Sequence, residues 1–323
     1  MVMSQIFRSF SSNSQISAAE AAQEVLHRFG SKPISARKQL IDPNQVRLLS
    51  LTLGRDSLHK GSPSLSEEVP RNGTPIPPGY HLAYFTPAIL KDHLGPDGSD
   101  QTVNPLPPFT RRMWAGGELK WSKNPEQLLR VGQEVEEVTT IVSAEPKKLK
   151  TGVEMILVGV EKQFNAPAGL ALTDRRSWVF QKAITEPQSP PPKPRDKPFP
   201  EGELRREFVQ SEETLFRFSA LTFNGHKIHY SRKWCRDVEG HRDCVVHGPL
   251  NLINMLDFWR DNRGGDSEIV PMSIAYRALS PLYTGEKYCM LLSKNLDANN
   301  NSVWEEEVWD RFGKLAMKGT IVD

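Results

Sequence analysis

Apolar positions along the chain fall into two successions of one kind, a short helical stretch followed by long alternating runs. Asp42 before Pro43 reads as a helix cap with proline at the first helical position, and Val46, Leu49 and Leu53 follow at helical spacing. This predicts a helix closing near Gly54. Residues 61–79 then carry Pro63, Pro70, Pro75, Pro77 and Pro78, which marks a loop. A short amphipathic helix is expected over 85–94, and antiparallel strands over 117–121, 133–144, 153–164 and 170–182, with turn residues between them.

Seven prolines in residues 186–200 favour a semi-rigid extended linker, because each lacks a backbone donor and fixes φ. The element order repeats after it. In residues 248–262 Pro249 stands at a helix start, Leu250, Leu252, Ile253, Met255, Leu256, Phe258 and Trp259 are apolar, and Asn251, Asn254 and Asp257 form a narrow polar stripe. A helix this apolar must be wrapped on most sides. Strands are expected over 269–279, 286–294, 303–309 and 314–322, with Phe312-Gly313 as the last turn.

Leu129-Arg130-Val131-Gly132-Gln133 and Leu282-Tyr283-Thr284-Gly285-Glu286 share a Leu-x-x-Gly-polar start to a long strand, so the two blocks read as degenerate copies. The expected class is α+β, a double hotdog in which each half is a curved antiparallel sheet wrapped around a central helix. Residues 40–185 and 201–323 are the two halves, and 1–39 an extension.

At 323 residues with 38% hydrophobic and 25% charged positions, the chain has material for real cores. A formal charge of +2 without a basic stretch interleaved with aromatics argues against nucleic acid. The longest strongly apolar run, residues 155–160, is far short of the ~20 residues that cross a bilayer, which argues against a membrane span. Cys235, Cys244 and Cys289 are too few for a disulfide framework and fit a reducing compartment. The first 19 residues hold no acidic side chain, six serines, Arg8, and Ile6, Phe7 and Phe10. That composition fits a mitochondrial presequence and a matrix location; the plain reading is a frayed tail on a cytoplasmic protein.

Candidate chemistry lies in Phe223-Asn224-Gly225-His226-Lys227-Ile228-His229-Tyr230, with Val246-His247-Gly248-Pro249 opening the apolar helix. The segment resembles the active-site loop of the MaoC-like enoyl-thioester hydratases, whose usual form is Gly-Asp-x-Asn-Pro-aliphatic-His. Here Asn224 falls at the Asp, His226 at the Asn, Lys227 at the Pro and His229 at the His. Phe-Asn-Gly-His-x-Ile-His-Tyr is similar to the hydroxyacyl-thioester dehydratase type 2 and mesaconyl- or itaconyl-CoA hydratase branch. Arg111-Arg112-Met113-Trp114-Ala115-Gly116-Gly117 and the stretch from Tyr276 to Glu286 fit the same branch.

The resemblance implies a hydro-lyase acting on a thioester of CoA or acyl carrier protein, with no organic cofactor or metal, and a homodimer as the expected assembly. His229, Asn224 and His226 are the catalytic candidates, and Gly248, Tyr230, His247, Arg112 and Trp114 the substrate-binding ones. His229 suits proton transfer, Asn224 can orient a water or hydroxyl, and Gly248 can offer a helix-start N–H to an enolate oxygen. Two other classes stay open: a thioester-binding hotdog without catalysis, since an amide stands at the Asp, and a zinc module using His226, His229, Cys244 and His247.

Overall fold

The computed structural model describes residues 16–264, 269–297 and 302–323. Ser17 and Glu20 form a capping box that starts helix α1 (Ala18–Phe29), whose Ala18, Ala21, Ala22 and Val25 are buried. Strand β1 (Ser35–Leu40) alternates half-buried and exposed positions and pairs with the third strand. Asp42 caps α2 (Pro43–Thr52) by accepting the Gln45 N–H at 2.8 Å, as its position before proline predicts.

Four long strands complete the first half: β2 (Arg111–Trp121), β3 (Glu134–Lys148), β4 (Glu154–Ala166) and β5 (Gly169–Gln181). The second half runs β6 (Leu204–Val209), α3 (Glu212–Leu221), α4 (Arg232–Asp237), α5 (Gly248–Asn262), β7 (Ser273–Ala278), β8 (Lys287–Leu296), β9 (Ser302–Asp310) and β10 (Leu315–Val322). Among the described residues these strands form one antiparallel sheet of ten, ordered β1-β3-β4-β5-β2-β7-β10-β9-β8-β6. The order reads the same from both ends when each strand of one half is matched to its counterpart in the other. The centre is the β2–β7 pair, Gly116↔Arg277 to Lys120↔Ser273, so one chain joins two hotdog sheets edge to edge. The double hotdog is the architecture expected from the repeat.

Helix α5 runs through the main core with Leu250, Leu252, Ile253, Met255, Leu256 and Trp259 buried. Its polar stripe is buried too. Tyr288 OH donates to Asn251 Oδ1 at 3.3 Å, Tyr80 OH to Asp257 Oδ2 at 3.2 Å, and Arg260 binds Asp257 at 2.6 Å. The first half thus meets the helix through Tyr80. Gly79 makes that approach: at φ +88 it lies where a Cβ would stand 2.9 Å from Leu256 Cδ1.

The helix expected over 85–94 is absent; one 3-10 turn, Lys91–His93, is all that forms there. Phe85 sits at φ 54, and the Arg37 guanidinium takes the Phe85 and Thr86 carbonyls at 2.5 and 2.8 Å, the oxygens a helix would have used. Among the described residues the first half therefore has no counterpart of α5, so the central helix expected in each half is present only in the second, and the inner face of the first borders a cavity. The extension expected over 1–39 contributes α1 and β1 to the fold, while residues 1–15, with Arg8 and its neighbours, lie outside the described residues. No helix among the described residues is long and apolar enough to cross a membrane.

Candidate active site

The chain leaves α3 through Phe223, a left-handed residue at φ 49, and the Asn224 N–H returns to the Ser219 carbonyl at 2.8 Å. Asn224 Oδ1 then accepts the His226 N–H at 3.0 Å, so the amide oxygen is committed to an Asx turn and the Nδ2 donors are left for the cavity. A 3-10 turn, Lys227–His229, carries the chain to Val245.

His229 is buried and its Nδ1 lies 2.8 Å from the Val245 carbonyl, which fixes the proton on that nitrogen. Nε2 is then an unprotonated acceptor on a ring that lines the cavity. His247, the N-cap residue of α5, stacks on His229 with centroids 3.6 Å apart and planes at 17°, and its Nε2 is bonded to Ser219 Oγ at 2.9 Å. His226 meets His229 edge-on at 5.6 Å. Its Nε2 is 3.5 Å from Asp97 Oδ2 but makes no hydrogen bond, so this is a contact of a neutral ring rather than an ion pair.

Burial pushes the His229 pKa down to about 3, with the His226 charge adding to it and the Val245 carbonyl opposing. Burial likewise takes His226 to about 3, helped by the Arg112 and Arg111 charges, and lowers His247 well below its usual value. All three rings are neutral in the fold, while the unfolded chain protonates them below 6.5. Unfolding below that pH therefore takes up protons, and stability present above 6.5 is lost as pH falls toward about 3. The free energy of urea unfolding is expected to drop between pH 6.5 and about 5, by up to about 1.4 kcal/mol per pH unit for each ring. A flat profile there contradicts neutral rings.

Gly248 opens α5, where the first N–H groups have no acceptor within the helix. A Cβ on Gly248 would stand 3.1 Å from Trp114 Cδ1, so the Trp114 indole from β2 covers the helix start. Arg112, two residues earlier on β2, lies over the Trp178 ring at 4.7 Å. Tyr230 is half exposed and its hydroxyl donates to the Gly225 carbonyl at 3.1 Å, bracing the loop. These residues line a cavity of about 1240 Å³ built from both halves.

Sequence reasoning missed the first-half loop that holds this segment. The Asp97 carbonyl accepts the Lys227 N–H at 2.7 Å, the Pro96 carbonyl accepts Lys227 Nζ at 2.6 Å, and Gly98, at φ +80, lies where a Cβ would be 2.1 Å from the Gly225 carbonyl. Ser219 was missed as well. Its only local signal is a polar residue on the buried side of α3.

The zinc alternative is corrected by the geometry. The near-parallel stack of His229 and His247 keeps their nitrogens from converging, and the Cys244 thiol interacts with that of Cys235, both cysteines being free. Among the described residues no cluster of His, Cys, Asp or Glu is arranged to hold a metal ion.

The sequence profile of the family described as hydroxyacyl-thioester dehydratase type 2 matches residues 79–284, more than half of the chain. The chain belongs to that family. Mesaconyl-C(4)-CoA hydratase of Chloroflexus aurantiacus is 31% identical over 232 residues, covering 71% of this chain and 78% of its own. The mitochondrial hydroxyacyl-thioester dehydratase type 2 of Schizosaccharomyces pombe is 25% identical over 245 residues, 68% of this chain and 79% of its own. Among solved structures, a MaoC-like dehydratase from Phytophthora capsici superposes with a TM-score of 0.64 at 14% identity, over 92% of this chain and 98% of that one. A Mycobacterium tuberculosis protein described as a double hotdog fold superposes with a TM-score of 0.54 at 14% identity, over 90% and 96%. These two bear on the fold. As a type 2 dehydratase the chain is a hydro-lyase of acyl thioesters.

Proposed function

We propose that the His229 loop adds or removes water across the 2,3 bond of an acyl thioester by a single-base route. The observation that carries this reading is the Nδ1 bond of His229 to Val245, which leaves Nε2 as the free acceptor at the cavity wall. In the dehydrating direction Nε2 takes the C2 proton, and the C2–H electron pair moves into an enolate whose oxygen lies at the Gly248 N–H. The C3–O bond then breaks as Nε2–H returns the proton to the departing hydroxyl, and water leaves. The ring that takes the C2 proton is the one that returns it, so the cycle needs no second acid. Asn224 Nδ2 donates to the oxygen at C3, while its oxygen keeps the loop in register through His226.

Asn224→Ala is therefore expected to cost about 10- to 100-fold in turnover and more than Asn224→Asp, which keeps the acceptor for the His226 N–H. The check is turnover of both variants on one thioester at saturating concentration. Full activity in Asn224→Ala reduces Asn224 to a turn residue.

The carrier is CoA or acyl carrier protein, and the mitochondrial matrix is the proposed compartment, supported by the acid-poor, serine-rich start of the chain and by the fungal relatives named mitochondrial. Loss of the conjugated-thioester absorbance on adding crotonyl-CoA tests the reaction. The relatives are named for different acyl groups, a mesaconyl thioester in one and hydroxyacyl thioesters in the others.

A further inference from the structure

We propose that Cys235 and Cys244 are a modification site beside the catalytic loop, a thiol pair that a small disulfide oxidant closes to an intramolecular disulfide, loosening His229 as it forms. Neither residue lines the cavity, so the site is separate from the one that takes the thioester. Cys235 lies in α4 and Cys244 immediately before Val245; both are buried and both are free.

One acceptor ties the pair to the loop. The carbonyl of Ile228, the residue before His229, accepts the Val245 N–H at 2.8 Å and the Cys235 thiol at 3.2 Å. Cys235 Sγ is thereby held against the Cys244–Val245 peptide, where the Cys244 thiol interacts with it. The next carbonyl along, that of Val245, is the one that fixes Nδ1 of His229. The chain between the two cysteines is already folded back: the Cys235 carbonyl accepts the His241 N–H at 2.8 Å, and the Cys244 carbonyl accepts the Thr284 N–H at 3.0 Å. Closing this ring in the folded protein therefore costs little further chain entropy. Cys289 offers a contrast. It is buried on β8 between Glu207 and Trp309, and none of the groups acting on it is a thiol.

In the first step the Cys244 thiolate attacks one sulfur of the oxidant, a mixed disulfide forms, and one thiolate leaves. Cys235 then gives up its proton and attacks Cys244 Sγ; the new S–S bond forms as the mixed one breaks, and the second thiolate leaves. Two cysteine thiols have lost two protons and two electrons, and the oxidant has taken them up as two thiols. Cys244 attacks first because it is the less buried of the two and Arg232 favours its thiolate. Asp243, Glu212 and Glu239 are the charges that oppose a thiolate on the pair. Burial raises both thiols, Cys235 to about 12, so the pair stays reduced against brief exposure and closes slowly, faster as pH rises.

Closure has a direct consequence for the loop. A disulfide draws the sulfurs to about 2.05 Å and removes the thiol proton that the Ile228 carbonyl accepted. The displacement falls on Cys244 and on Val245 beside it, whose carbonyl sets the tautomer and plane of His229.

The experiment incubates the reduced full chain with oxidised glutathione in mildly alkaline buffer and reads peptide masses and crotonyl-CoA turnover together. Cys235 is expected to be found joined to Cys244, with Cys289 still a thiol. Turnover is expected to fall at least about 10-fold, the scale of a displaced catalytic group, and to return with dithiothreitol. The rate of closure should rise by about 10-fold per pH unit, as a thiolate-limited step does. Cys235→Ser keeps a donor for the Ile228 carbonyl, so it should turn over like the native chain and resist the oxidant. Mixed disulfides with no bond between the two cysteines, a bond that leaves turnover unchanged, or equal inactivation of Cys235→Ser each overturn the proposal. Absence of turnover before oxidation is a different result: it removes the hydro-lyase reading, while the mapped bond still decides whether the pair closes.

Discussion

His229→Ala is expected to lower turnover at least ~100-fold, the usual scale for removing a group that both takes and returns the proton. Geometry gives this ring no replacement. His226 has an unbonded Nε2, but the ring stands edge-on to His229 beside Asp97, and His247 is tied to Ser219. Alanine also removes a buried ring from the stack with His247, so a second variant separates chemistry from packing. His229→Asn keeps an N–H close to the position of Nδ1, able to hold the Val245 carbonyl, but has no base. Both variants should fall by a similar factor, with far-ultraviolet dichroism and the unfolding midpoint little changed in His229→Asn. Near-normal turnover in either variant removes His229 from the proton-transfer role.

Most of what places this site is written locally in the chain. Helix α5 is legible because its apolar residues cover nearly the whole circumference, and α2 because Asp42-Pro43 is a start signal. The long strands show as alternation, and the loop from Asn224 to His229 shows as a motif. A local signal also existed for one missed element, since Ser17-x-x-Glu20 is a capping box, whereas residues 35–40 alternate only in burial, with Ala36 and Leu40 on the exposed side, and show no apolar face in the sequence. The failed helix over 85–94 is a case of tertiary contact overriding pattern, since Arg37 takes the carbonyls it needed and Phe85 packs edge-on against Phe164 at 5.3 Å. The contacts of Gly98 with Gly225, Lys227 with Asp97, and Ser219 with His247 join distant segments, and no local pattern announces them. That distinction matters for how much of the chain the chemistry needs.

Residues 201–323 expressed alone are expected to show no measurable turnover and to self-associate, although they hold Asn224, His229, His247 and Gly248. Removing the first half uncovers the β7 edge where β2 pairs, over Gly116↔Arg277 to Lys120↔Ser273, and a bare edge pairs with the next available strand. It also uncovers the side of α5 that Gly79 and Tyr80 cover, leaving Asp257 without its Tyr80 donor. The catalytic loop loses the Asp97 carbonyl that holds Lys227 and the close packing of Gly98 on Gly225. Trp114 no longer covers Gly248, so water reaches the helix start where enolate charge has to be held. Size-exclusion chromatography with light scattering reads the association, and crotonyl-CoA turnover reads the chemistry. Mixing the fragment with separately expressed residues 16–200 should restore part of the activity if the first half acts by bracing the loop and closing the cavity. A monodisperse fragment with full turnover would mean that the second half is a self-sufficient catalyst and that the contacts from residues 94–100 are incidental.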